Sequence, residues 1–239
     1  MGKELKVISY NIHSGVGLDE KLDLDRIADL IAKEDADLIG LNEVNNCNLR
    51  SKGVEQGKYI ADSLGYHYIF GKAIDYQDGE YGNAFMSRYP IISSKNHSLP
   101  IYGLTTREPR GMLECDVDVE GKIIKIFITH LATNRKERKF SIDYIAHIFQ
   151  NLTQRSILLG DFNTSYSGEY EDLFPILDNF KDTAVELGIA DEMMTAYSTA
   201  PFKKIDYIFV SNDIDAISTY TISSPASDHL PVICKIRVF

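Results

Sequence analysis

The chain has 239 residues, 44% hydrophobic and 25% charged, which is ordinary for a soluble protein and enough apolar material for a sizeable core. Its formal net charge is −10 and its pI is near 5.1; this disfavours a nucleic-acid polymer as substrate, although a local basic groove can hide in an acidic average. No apolar run approaches the ~20 residues that cross a bilayer. The opening Met1-Gly2-Lys3-Glu4-Leu5-Lys6 has no signal-peptide core, and Lys6 stands where a myristoylation signal needs Ser or Thr, so a cytoplasmic location is the expectation.

The first strand-like segment is Leu5–Ile12. Leu24, Ile27, Ala28, Leu30 and Ile31 then repeat with helical spacing, and Asp23 or Asp25 is placed to cap them. A strand at Asp37–Glu43 and a helix at Gly57–Leu64 follow. Next come strands rich in Ile, Val, Phe and Tyr at Tyr66–Lys72, Asn83–Ser87, Ile91–His97, Gly111–Val119 and Lys122–His130. Between the first two of these, the acidic segment Ala73–Tyr81, with Tyr76 and Tyr81, reads as a loop. Arg88-Tyr89-Pro90 and Glu120-Gly121-Lys122 mark tight connections. A long helix at Lys136–Leu152 precedes a strand at Ser156–Gly160 and a helix at Tyr170–Leu177. Strands at Lys204–Ser211, Ala216–Ser223 and Leu230–Val238 complete the order.

With no internal repeat, low-complexity tract or linker, the simplest organisation is a single domain over residues 1–239. About eleven strands in mixed order predict an α+β fold of two packed sheets with helices outside, rather than a Rossmann fold or a parallel barrel. No GxGxxG and no Walker loop points to a nucleotide cofactor. Cys47, Cys115 and Cys234 are odd in number and lack metal-binding spacing, so neither a disulfide scaffold nor a zinc site is expected.

The polar residues at strand ends carry the chemistry. Asn11, Glu43, His130 and Asp161 close apolar runs, whereas Asp206 and the pair Asp228-His229 open them. If the second group of strands runs opposite to the first, all of these side chains reach one edge. Singly, each is an ordinary turn former, solvated carboxylate or surface histidine. Jointly, they suit phosphoester cleavage assisted by Mg²⁺ or Mn²⁺. Glu43 is the best candidate for a hard oxygen ligand, with Asn11 and Asp228 completing or orienting the shell. Asp161 can position or deprotonate a water, and Asn163 can orient it or a phosphate oxygen. His130 and His229 can donate to charge building on phosphoryl oxygens, with Asp206 fixing the ring of His229.

Seven motifs in order resemble the endonuclease/exonuclease/phosphatase superfamily, which has the DNase I-like fold. They are Tyr10-Asn11-Ile12-His13, Leu41-Asn42-Glu43-Val44, Gly82-Asn83-Ala84-Phe85-Met86-Ser87-Arg88-Tyr89-Pro90-Ile91, Thr129-His130-Leu131, Gly160-Asp161-Phe162-Asn163, Ile205-Asp206-Tyr207-Ile208 and Ser227-Asp228-His229-Leu230-Pro231-Val232. The resemblance implies a four-layer α/β/β/α sandwich of two mixed sheets and metal-dependent phosphoester hydrolysis by an activated water. It matches Asn11, Glu43 and Asp228 to metal-side positions. It matches His130 to transition-state stabilisation, Asp161 and Asn163 to nucleophile and phosphate, and Asp206 with His229 to an Asp–His pair. The general base is Asp161 or, alternatively, His229 backed by Asp206. Asn83 is a weaker phosphate candidate. Of Arg107 and Arg110, Arg110 is preferred as a phosphate contact.

The core motifs give the reaction class and not the substrate. The acidic balance favours a small or exposed phosphoester as partner. A DNA-directed nuclease of the exonuclease III kind is the enzyme alternative, and a non-catalytic binding module of the same fold is the alternative from another class. The basic run Asn134-Arg135-Lys136-Glu137-Arg138-Lys139 reads as a solvated helix face.

Overall fold

The structure is a computed structural model that describes residues 2–101 and 108–239. Two six-stranded mixed sheets lie face to face. The first contains β1 (Glu4–Asn11), β2 (Leu38–Asn46), β3 (His67–Tyr76), β4 (Gly79–Ser87), β11 (Asp215–Thr221) and β12 (Val232–Arg237), in the order β11-β12-β1-β2-β4-β3. The second contains β5 (Ile91–Ser98), β6 (Gly111–Val119), β7 (Lys122–His130), β8 (Ser156–Asp161), β9 (Phe180–Asp182) and β10 (Asp206–Ser211), in the order β5-β6-β7-β8-β10-β9. Helices α1 (Asp25–Glu34) and α2 (Gln56–Leu64) cover the first sheet; α3 (Arg135–Phe149) and the turn Phe174–Leu177 cover the second. This is the expected four-layer α/β/β/α sandwich. No helix among the described residues is long and apolar enough to cross a membrane.

Strand alternation builds the layers. In β1, Leu5 and Val7 point between the sheets while Ile8 and Tyr10 point under the helices. In β7 and β8, Ile124, Ile126, Ile128, Ile157 and Leu159 face inward, and Phe127 and Leu158 face α3. Central strands buried on both faces carry apolar residues on both, so they read as continuous hydrophobic runs. At Gly40 the sheets meet without a side chain between them: a Cβ there would lie 2.0 Å from Leu159 Cδ1, so the leucine fills the space that the missing side chain leaves.

Local signals set most boundaries. Asn134 Oδ1 accepts from the backbone N–H groups of Lys136 (2.9 Å) and Glu137 (3.3 Å), capping α3. At α1 the capping carboxylate is that of Asp23, which accepts from Asp25 N and Arg26 N, whereas Asp25 is already helical. Two expectations needed correction, and one strand was not foreseen. The segment read as a loop between β3 and β4 is a hairpin, turned at Gln77-Asp78 with φ of 48° and 63°, followed by Gly79. The strand β9 has only three residues, too short for a periodicity. The helix expected at Tyr170–Leu177 is broken into a 3₁₀ turn (Tyr170–Leu173) and one α-turn, with Pro175 at the start of the latter.

Gly160 ties the fold to the cleft. Its φ is +140°, and a Cβ would sit 1.9 Å from the carbonyl oxygen of Thr129 on the neighbouring strand. Gly160→Ala is expected to cost roughly 2–4 kcal/mol in denaturant melts, combining backbone strain with a clash that no side-chain movement relieves. Gly121→Ala, at φ +83° with open space around it, is the matched control and should cost about 1 kcal/mol.

Candidate active site

Strand direction gathers the polar ends. β1 and β2 are parallel, as are β7 and β8, and the registers put Asn11 beside Asn42 and His130 beside Asp161. β10 runs antiparallel to β8 with Asp206 opposite Asp161, and β12 runs antiparallel to β1. The turn leading into β12 is held by Ser227, whose hydroxyl donates to Asn11 O (2.7 Å) and accepts from His229 N (3.2 Å). The strands that end in polar groups are thus neighbours of those that begin with them.

A cleft of about 610 Å³ opens above this edge. Glu43, Arg110, His130, Asp161, Asn163, Asp228 and His229 line it, and Asn11 and Asp206 lie just beneath. Asp161 is the hub. Its Oδ1 accepts from Asn163 N (2.8 Å). Its Oδ2 accepts from Asn11 Nδ2 (3.1 Å) and lies 3.5 Å from His130 Nε2 and 3.8 Å from His229 Nε2. His229 is braced from behind by Asp206 Oδ2, 2.8 Å from its Nδ1. Thr195 Oγ1 accepts from the backbone N–H of Asp206 (3.3 Å), fixing the start of β10.

The electrostatics follow from this crowding. Burial, aided by Asp206, raises the Asp161 carboxyl to about 7, against the pull of His229 and the hydrogen bonds from Asn163 and Asn11. Burial opposes charge on His229 as well, but Asp206, Asp161 and Asp228 outweigh it and hold its pKa up to about 10. His130 goes the other way: burial, then Arg110 and His229, push it well below the ordinary histidine value. A donor faces each nitrogen of the His130 ring, Arg110 Nη1 at Nδ1 (3.2 Å) and Asn163 Nδ2 at Nε2 (3.2 Å), and Nε2 also lies 3.5 Å from Asp161 Oδ2. At neutral pH the cleft therefore holds an imidazolium, a neutral imidazole and a carboxyl near its midpoint.

Glu43 is aimed by its backbone. The pairing of β2 with β4 slips between Leu41 and Val44, and within this bulge Glu43 has a φ of 58°. One carboxylate oxygen accepts from Asn11 Nδ2 (3.0 Å). Across the cleft, Asp228 Oδ1 sits 3.4 Å from Ser227 Oγ and 3.9 Å from His13 Nδ1. Glu43 and Asp228 are only partly buried and face the cleft, as suits a hard divalent cation. Of the two roles open to Asn11, completing the shell or orienting it, the hydrogen bonds match the second: its Oδ1 accepts from His13 N (3.0 Å) and its Nδ2 spans the carboxylates of Glu43 and Asp161. Acidic and histidine donor atoms of Asp161, Asp206 and His229 also lie within 4.8 Å of one another, but a proton already occupies the His229–Asp206 contact.

Asn83 does not reach the cleft. Because β4 starts four residues earlier than the sequence suggests, Asn83 lies mid-strand and 2% exposed; its Oδ1 accepts from Asn42 (2.8 Å) and its Nδ2 donates to Gly111 O (3.1 Å). It serves Asn42, which the sequence reading left out of the site. Fully buried Asn42 donates to Thr129 O (3.0 Å) and accepts from Asp161 N (2.8 Å), stitching the first sheet to β7 and β8 beneath the hub. Its place beside Glu43 in Leu41-Asn42-Glu43-Val44 was the available signal. Arg110 lines the cleft, with Nη1 shared between Glu108 (2.6 Å) and His130. Arg107 lies outside the described residues. The basic run at α3 is not a uniformly solvated face, because Arg138 is buried and donates to Thr133 O (2.6 Å) and Glu169 (2.7 Å) at the cleft wall.

Two facing mixed sheets with a cleft over the strand ends define a DNase I-like protein. The sequence model of the Endonuclease/Exonuclease/phosphatase family matches residues 8–229, and the chain belongs to that family. It is 28% identical over 170 residues to the uncharacterised protein YbhP of Escherichia coli K12, a match covering 66% of each chain; it thus spans just under two thirds of that relative. Among solved structures, an endonuclease/exonuclease/phosphatase protein from Beutenbergia cavernae superposes with a TM-score of 0.81 at 24% identity, covering 99% of this chain and 72% of that one. The mannosyl-6-phosphatase Bt3783 of Bacteroides thetaiotaomicron superposes with a TM-score of 0.74 at 22% identity, covering 97% and 99%. These likenesses show a shared fold.

Proposed function

We propose that the chain forms a single catalytic domain that hydrolyses a small or exposed phosphoester with an activated water and a divalent cation, Mg²⁺ or Mn²⁺. The observation that carries this reading is the surround of Asp161 Oδ2: His130 Nε2 at 3.5 Å, His229 Nε2 at 3.8 Å and Asn11 Nδ2 at 3.1 Å, open to one cleft. A carboxyl held near 7 suits a group that takes a proton from the attacking water. This favours Asp161 as general base over His229, which already carries its proton. Ring N–H groups of His130 and His229 and the Asn163 amide can donate to phosphoryl oxygens as charge builds, and Asp206 keeps the His229 ring in place. Glu43 and Asp228 would hold the cation, with Asn11 orienting Glu43. When bound, the cation neutralises charge on the phosphoryl oxygens.

A small substrate is favoured by the net charge of −10, which disfavours an extended polyanion. The named activity of the mannosyl-6-phosphatase of like fold agrees with this choice. The test is a phosphoester panel in Mg²⁺ and in Mn²⁺: bis-p-nitrophenyl phosphate, sugar and inositol phosphates, and abasic and nicked DNA, with Asp161→Ala as the blank. DNA should be among the poorer substrates. Efficient abasic-site cleavage at physiological salt would overturn the small-substrate reading, and absence of both hydrolysis and metal binding would favour a binding module.

The cation site has its own test. Glu43→Gln is expected to weaken Mg²⁺ and Mn²⁺ binding by roughly 10-fold or more in calorimetric titration. Equal affinity in the variant and the wild type would remove Glu43 from the ligand set.

A further inference from the structure

Arg50 stands apart from the other arginines at the cleft. Each of the other arginines among the described residues has a carboxylate within 4.0 Å; Arg50 has none. Its guanidinium is nonetheless held in place. It lies 4.9 Å from the ring centroid of Tyr76 and 5.3 Å from that of Tyr81, and its Nη2 donates to Asn45 Oδ1 (3.1 Å). Both tyrosines belong to the hairpin of β3 and β4, and stacking on two rings fixes a guanidinium without neutralising it.

The backbone beneath Arg50 is equally firm. Asn48 and Ser51 on either side are buried. Asn48 donates to Asn45 Oδ1 (2.8 Å) and Glu80 O (3.1 Å), and Ser51 donates to Val54 O (2.7 Å). The nearby carboxylates are already engaged: Glu108 by Arg110, Asp75 by Lys72, and Glu80 by Asn46 and Lys72. Arg50, Tyr81 and Glu108 line both the main cleft and a second cavity of about 340 Å³.

We propose that Arg50 is a specificity-determining residue that binds a second anionic group of the substrate, in the cavity beside the one that receives the scissile phosphate. The inference rests on the phosphoester-hydrolase reading and deepens it: the substrate is a small molecule with two anionic groups, such as a sugar bisphosphate. A pre-positioned guanidinium with no counter-ion matches phosphate or carboxylate through its fork of N–H donors. Arg50 is the one cation among the residues lining the smaller cavity, beside Asp75 and Glu108, which suits one compact anion rather than a continued phosphate chain.

The experiment measures binding on the Asp161→Asn background, which reads the subsite whether or not the wild type turns the probe over. Calorimetry in Mg²⁺ compares fructose 1,6-bisphosphate with fructose 6-phosphate, 3-phosphoglycerate with glycerol 3-phosphate, and 5′-phosphorylated dithymidylate with thymidine 5′-monophosphate. One or both small probes with two anionic groups should bind roughly 10- to 100-fold tighter than their partners with one. Whichever does so identifies the second group as phosphate or carboxylate. Arg50→Gln should bring that ratio to about 1, with Arg50→Lys retaining part of it. A ratio near 1 in the Arg50 protein, or one that survives Arg50→Gln, overturns the proposal. A larger ratio for the dinucleotide than for either small probe overturns the small-molecule assignment. Failure of the hydrolase reading would show separately, as no turnover of any probe by the wild type.

Discussion

Asp161→Asn is expected to lower kcat by roughly 10³-fold or more, the scale of losing a general base together with the groups it orders. The asparagine can keep the bond from Asn163 N and so leave the loop after β8 in place, while the charge between the two imidazoles disappears. The pH dependence gives the sharper readout. In the wild type, activity should rise with pH as Asp161 loses its proton near 7 and fall as His229 loses its own near 10. In Asp161→Asn the acid limb vanishes. The alkaline limb moves down, because Asp161 is one of the charges that hold the His229 proton. Stability moves oppositely to activity. The folded pKa of Asp161 lies above its ordinary value of 3.8, so the folded state binds more protons than the unfolded chain between those values, and ionising this carboxyl costs stability as pH rises through 7. Asp161→Asn should therefore melt higher than wild type at pH 8 and lose that advantage near pH 4. An unchanged pH–rate profile in the variant would remove Asp161 from the base role.

Lys204→Met should destabilise the protein by about 3–5 kcal/mol, the usual cost of breaking a buried ion pair by deleting one partner. Lys204 Nζ lies 3.0 Å from Asp182 Oδ2 and 3.3 Å from the centroid of the Tyr207 ring, with both charged side chains essentially buried. Asp182 Oδ1 also caps the short helix that follows, accepting from Ala184 N (2.9 Å). Removing the lysine leaves a buried carboxylate without its cation, whereas Lys204→Met with Asp182→Asn keeps the cap and deletes both charges, so the double variant should recover most of the loss. Burial, opposed by Asp182, depresses the Lys204 ammonium to about 8. Between pH 8 and its ordinary 10.5 the unfolded chain binds the proton that the folded chain has shed, so this group makes stability rise with pH in that window. Denaturant melts at pH 7 and pH 10 measure the effect. Additive losses in the double variant would refute the pairing.

The floor of the cleft was legible in the sequence because each of its residues sits where an apolar run starts or stops. Strand direction alone then decides whether the runs converge. Asp161, His130, Asp206 and His229 were placed in this way, and the parallel and antiparallel pairings supply the condition their convergence required. Other features depended on register. The bulge at Glu43 and the four extra residues of β4 leave no mark in composition, and the second of these turned Asn83 inward. Arg50 was silent for another reason: its meaning lies in two tyrosine rings more than twenty residues away, brought near only when the hairpin closes. Asn42 was visible as a polar neighbour, but its role across the sheets exists only once they are packed.

The amide of Asn42 has a practical consequence. By anchoring β8 to the opposite sheet directly under Asp161, it lets the reacting groups keep their positions without help from the segments above them. The side chain of Arg50 is held by Asn45 and the rings of Tyr76 and Tyr81 at the tip of the hairpin, whereas the side chain of Asn83, further along β4, is held by Asn42 and Gly111. The molecule is therefore divided into a fixed chassis and an exchangeable fitting. Transplanting the hairpin and the Arg50 turn into a family member of different selectivity should carry ligand preference with it and leave the recipient's turnover machinery intact.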